Sequence, residues 1–143
     1  MLRIMIIFFI IFVCFMTVAI SYARVFRIKN NVINILERND SVNDINAKIE
    51  KYLKDIHYIY AAHDGVNNDC SNKLLASNLK DSSIVNGNIN GVCVVALGQK
   101  TNDRSYYYYH YRVSAYIVID FPLFKLGWVI PITGESKVKI KQT

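Results

Sequence analysis

The chain has 143 residues, is 52% hydrophobic and 20% charged, and carries a formal net charge of +6. That length suits one domain of ordinary size, and the composition excludes a disordered chain, a collagen-like repeat (6 Gly, 2 Pro) and a disulfide-dense miniprotein (3 Cys). A mean hydropathy of +0.19 is high for a soluble domain; much of the excess sits in one block near the N-terminus, and no second stretch of membrane length exists.

That block, IMIIFFIIFVCFMTVAI from Ile4 to Ile20, lies in an uncharged run between Arg3 and Arg24. About 20 apolar residues cross the hydrocarbon of a bilayer as a helix, so residues 1–23 are read as a transmembrane signal anchor. The competing reading is a cleaved signal peptide, with Arg3 as its basic start and Ser21-Tyr22-Ala23 as a small-x-small cleavage site. The apolar run exceeds the usual signal core of about 7–15 residues, which favours the anchor. Cys14 follows Phe12 and Val13, too bulky for a lipid-attachment motif, and reads as a small membrane-buried hydrophobe. Orientation is contested. Arg24, Arg27 and Lys29 outnumber Arg3 and the α-amino group, which by the positive-inside rule places the rest of the chain in the cytoplasm. The N-terminal position of the segment and the paired cysteines discussed below favour the exterior. The reading adopted is a single-pass cell-membrane protein with an extracytoplasmic C-terminal domain.

Residues 24–60 read as amphipathic helices. Val25, Ile28, Val32 and Ile35/Leu36 form one stripe, and neither Gly nor Pro separates it from the apolar block, so one helix is expected to run on to about Arg38. Asn39-Asp40-Ser41 interrupts it, and Ser41 with Asp44 resembles a capping box. A second helix then buries Val42, Ile45, Ile49, Leu53, Ile56 and Tyr60, with Asp44–Lys48 and Glu50–Lys54 spaced for ion pairing on its wet face.

Residues 61–143 read as a disulfide-tied loop and an antiparallel sheet of three or four strands. His63 to Asp69 is loop chemistry, and Asn86-Gly87 and Asn90-Gly91 are turn dipeptides. Strands are expected over 92–97, 105–121, 126–132 and 136–141. Pro131 marks an edge or a bulge, and Gly134 a bend. In the last strand Val138 and Ile140 alternate with Lys137, Lys139 and Lys141, which predicts a half-buried strand guarded by lysine. Helices covering one face of this sheet give an α+β fold.

Cys70 and Cys93, the cysteines outside the apolar block, read as one disulfide in an exported domain, worth about 3 kcal/mol for a loop of this size. No CxxC or HxxxH accompanies them, so a metal site is not expected. Tyr106, Tyr107, Tyr108, Tyr109 and Tyr111 form a candidate interaction surface for glycan, peptide or protein, although cross-strand packing is the plainer use of such a run. Strand alternation puts Tyr106, Tyr108 and His110 on one face and Tyr107, Tyr109 and Tyr111 on the other, one row being expected beneath the helices. His57, His63 and His110 are scattered, no GxSxG or glycine-rich phosphate loop is present, and Asp120 and Glu135 are not an evident acid–base pair. The basic residues are spread along the chain, unlike those of a nucleic-acid reader. No catalysis, cofactor, metal, nucleic acid or small-molecule substrate is expected.

The layout, an apolar helix running into an amphipathic one and a closing sheet, resembles pilins and pseudopilins, in particular TadE-like proteins. The stretches VSAYIVIDFPL from Val113 to Leu123 and GWVIPITGESKV from Gly127 to Val138 carry the likeness, which extends further to an uncharacterised family of small membrane proteins on conjugative elements. The resemblance implies a pilin-like fold and a role in a pilus, conjugation or secretion apparatus, with the membrane and other protein subunits, including copies of itself, as partners. Members of such families are cut after a small residue ahead of the apolar stretch, with Glu shortly inside it. Here neither Gly nor Glu precedes Glu37, which points to a subunit retained in the membrane. The alternative is a secreted binding module that uses the tyrosine-rich strand.

Overall fold

The computed structural model describes residues 1–58, 87–89, 91–100, 106–121 and 126–142. Two helices, α1 (Leu2–Arg38) and α2 (Val42–Asp55), precede strands β1 (Gly87–Ile89), β2 (Val92–Lys100), β3 (Tyr106–Phe121), β4 (Leu126–Glu135) and β5 (Lys139–Gln142). The arrangement is α+β.

With no Gly or Pro to break it, α1 is a single helix of 37 residues, about 55 Å long. It ends at Asn39, whose backbone turns extended and whose side-chain amide donates to the Ile35 carbonyl at 2.7 Å. Its two halves meet different surroundings. From Leu2 to Arg24 no residue is buried, whereas Val25, Ile28, Lys29, Val32 and Leu36 are.

The second helix is shorter than its apolar spacing predicts. It stops at Asp55, and Tyr60 lies outside the described residues. His57 adopts a left-handed φ of 51°, its N–H donates to the Lys54 carbonyl, and that of Tyr58 reaches back to Leu53. This is a Schellman ending with histidine where glycine is usual. His57 therefore sits in the closing turn rather than within the helix. Ser41 is the N-cap but makes no side-chain capping bond, and Lys48 donates to the Asn39 side-chain oxygen rather than pairing with Asp44. The expected capping box is thus absent.

The sheet has the order β1-β2-β3-β4, all antiparallel, with β5 also on β3. Gly91, at φ 87°, makes the tight β1–β2 turn expected of Asn90-Gly91. The long β3 is the central strand: β2 lies along one side, while β4 and β5 share the other. One face of it, Tyr109, Tyr111, Val113, Ala115 and Ile117, lies under the helices. The main core joins Ile28, Val32 and Leu36 of α1, Ile45, Ile49 and Leu53 of α2, and Val92, Val94 and Ala96 of β2. A smaller cluster joins Val25 to Ala115, Ile117 and Ile132.

Gly134 makes no bend; it pairs with Val113 inside β4. A Cβ there would stand 2.9 Å from Ile33 Cδ1 and Lys29 Cδ, so its bare backbone lets α1 approach the sheet. The buried Lys29 lays its stem over this glycine and holds its ammonium 4.2 Å from the centre of the Phe26 ring.

The last strand departs most from expectation. Between β4 and β5, Ser136, Lys137 and Val138 oppose only His110 and Tyr111, which is a β-bulge. The Ser136 N–H donates to the Tyr111 carbonyl at 2.8 Å, and the Tyr111 N–H donates to Ser136 Oγ at 2.9 Å in place of a backbone carbonyl. The Lys137 N–H, freed from the ladder, donates to Glu37 Oε1 of α1 at 2.9 Å. One extra residue reverses the phase of everything after it. Val138 and Ile140 are therefore 62% and 63% exposed, and Lys139 turns inward to bond the Asn39 carbonyl and the Asp40 carboxylate. The lysine-guarded, half-buried strand is inverted.

Candidate interaction surfaces

The first surface is the N-terminal half of α1. It is long and apolar enough to cross a bilayer, with a window of mean hydropathy 3.0 of which none is buried. It contributes nothing to the core, because the first buried residue of the helix is Val25. Cys14, a free cysteine, lies within it.

The second is the sheet face turned away from the helices. Tyr106 and Tyr108 are 44% and 43% exposed, and Ile140 stands directly across from Tyr108. With Val138 they make an apolar patch at one end of the sheet. Tyr109 and Tyr111 belong to the core instead: both are buried, and their rings meet edge to face at 5.6 Å. The tyrosine run thus divides by strand parity, and the surface narrows to Tyr106 and Tyr108. The Tyr107 side chain lies outside the description.

Below the patch the same face becomes charged. Arg112 donates through Nε and Nη2 to Glu135 Oε1 at 3.0 and 2.8 Å, and His110 Nε2 stands 3.8 Å from Oε2. The Arg112 hydrogen bonds hold the Glu135 carboxyl below its ordinary value of 4.5, against a desolvation penalty and with help from the charges of Arg112 and His110. The next pair along, Ser114 and Thr133, brings its hydroxyls to 3.2 Å. Beyond it Cys93, Tyr116, Val95 and Val129 form a small apolar cluster. Such a row links the neighbouring strands across this face.

Cys93 is buried on this face, while Cys70 and His63 lie outside the described residues. Among the described residues, no three His, Cys, Asp or Glu side chains converge on a point that could hold a metal ion.

A third feature gave no signal in the sequence because it depends on how the helices cross. A cleft of about 450 Å³ opens between α1 and α2, walled by Ile20, Ala23, Arg24, Arg27, Ile28 and Asn31 on one side and Tyr52 and Ile56 on the other. Arg24 donates to the carbonyls of Ile56 and His57 at 3.1 and 3.4 Å, tying the end of α2 to α1. Comparison with protein-family models, characterised proteins and solved structures gives no match.

Proposed function

We propose that this chain is a non-catalytic, single-pass membrane subunit of a larger apparatus, resembling TadE-like and pilin-like proteins in layout. In this reading residues 4–23 hold it in the bilayer, and its α+β head assembles with other subunits outside the cytoplasm. The observation that carries it is the division of α1: one unbroken helix whose first half is apolar and bare, and whose second half is the spine of the head. A bare apolar face of that length is costly in water and stable in lipid. Contact with protein partners is supported by the exposed patch of Tyr106, Tyr108, Val138 and Ile140. The extracytoplasmic assignment goes with a Cys70–Cys93 disulfide.

Membrane fractionation and intact mass test the anchor. A chain starting at Met1, extractable only with detergent, is the expected result; recovery solely as a soluble chain starting at Arg24 overturns it. Thiol alkylation in intact cells tests the side: Cys70 and Cys93 reacting without reductant would place the head in the cytoplasm.

The second reading, a secreted binding module, has one observation in its favour. Val25, the first core residue, lies two positions beyond Ala23, so a cut at the small-x-small site would leave the head's core whole. N-terminal sequencing separates the two.

A further inference from the structure

The cleft between α1 and α2 is a graded groove. Along α1 its wall reads Ile20, Ala23 with Arg24, Arg27 with Ile28, and Asn31, positions that recur every three or four residues on one face and run about 16 Å from end to end. The lower end is apolar and belongs to the bare half of the helix; the middle carries two guanidinium groups beside the buried Ile28; the upper end is neutral and polar. Among the described residues no carboxylate lines it. Asn31 donates to the Tyr52 hydroxyl oxygen at 2.7 Å, which leaves the Tyr52 proton to donate elsewhere. Among the described residues Arg24 uses Nη2 on the α2 carbonyls and keeps Nε and Nη1. Among the described residues Arg27 makes no hydrogen bond or ion pair, and it stands exposed beside the groove.

We propose that this groove seats an anionic phospholipid, its phosphate held by Arg27 with Arg24 and Tyr52 and one acyl chain lying against Ile20 and Ala23. The proposal rests on the anchor reading, which puts the Ala23–Arg24 boundary at the edge of the hydrocarbon. Charge complementarity selects the occupant. Two cations with donors to spare, and no carboxylate lining the groove among the described residues, suit a phosphate that carries net negative charge. The apolar lower wall then selects a lipid over a soluble phosphate, which has nothing to place there.

The test uses the full chain, purified in detergent, stripped of lipid and examined by native mass spectrometry with phosphatidylglycerol, phosphatidylcholine or inorganic phosphate added. Retention of phosphatidylglycerol over phosphatidylcholine is expected. Arg27→Gln should lower it about tenfold, the loss of one charge-assisted contact, and Arg27→Lys should restore part of it. Arg3→Gln, at the other end of the span, should leave it unchanged. Equal retention of the two lipids, indifference to Arg27→Gln, or displacement by millimolar inorganic phosphate overturns the proposal. Flotation of the same protein with vesicles separates the failures. A chain that floats without preferring phosphatidylglycerol has lost only this inference, whereas one that stays in the soluble fraction has lost the anchor as well.

Discussion

Replacing Ser136 by Ala tests the bulge on which the sheet's last turn depends. The Tyr111 N–H is buried with its residue at 3% exposure and has Ser136 Oγ as its acceptor at 2.9 Å. Alanine fits the same space but leaves that donor unsatisfied. A buried amide without an acceptor costs about 1–3 kcal/mol. The loss of the bond from Ser136 Oγ to the Lys137 carbonyl adds little, since that carbonyl lies at an exposed residue. A net cost of about 2 kcal/mol in a head of this size lowers Tm by roughly 6–12 °C. The assay is thermal and urea unfolding of the full chain in mild detergent, followed by near-UV circular dichroism. Ser136→Thr, which keeps the oxygen, should lose less than half as much. If Ser136→Ala stays within about 0.5 kcal/mol of the parent, the hydroxyl is not what satisfies Tyr111, and the account of the bulge is wrong.

Leu36→Ala, at a position with no exposed surface, should destabilise the head by about 2–5 kcal/mol in the same assay, whereas Phe9→Ala in the bare half of α1 should leave its unfolding unchanged. His57→Gly should raise stability by about 1 kcal/mol, because a left-handed residue that closes α2 carries a side chain it does not need; a loss of stability would refute the Schellman assignment. Glu135 has a carboxyl pKa lowered in the folded state, so its contribution is fully present above its ordinary value of 4.5 and is lost as pH falls through the folded value. Denaturation midpoints measured between pH 7 and pH 3 should fall in that acid range, and Glu135→Gln should flatten the fall.

Where a residue's surroundings are set by its neighbours in sequence, the chain could be read directly. The unbroken α1, its stripe of Val25, Ile28, Val32 and Leu36, the turn at Gly91 and the split of the tyrosines between two faces all follow from period and propensity. Tertiary geometry decided the rest. Val138 and Ile140 alternate with lysines as a core-facing strand should, yet a single extra residue at the bulge turns them outward. The apolar period of α2 runs on through Ile56 to Tyr60, yet the helix stops at Asp55 and closes at His57. Gly134 resembles a bend because its real reason, the passage of Lys29 and Ile33, comes from a helix far back in the sequence. The groove of Arg24 and Arg27 exists only because α2 folds back on α1, and a run of basic residues next to an apolar block carries no sign of that.

The absence of a hinge in α1 has a mechanical consequence. Under the proposed anchoring, the rod lodged in the oily layer is also the axle on which the sheet is mounted, so the two cannot pivot independently. A typical inclination of about 20° in the bilayer, carried along the roughly 21 Å from Arg24 to Arg38, displaces the far end of the head sideways by about 7 Å. Anything that changes the lean of the buried segment, such as a thicker bilayer or a neighbouring helix pressed against it, would swing the tyrosine end of the sheet with it.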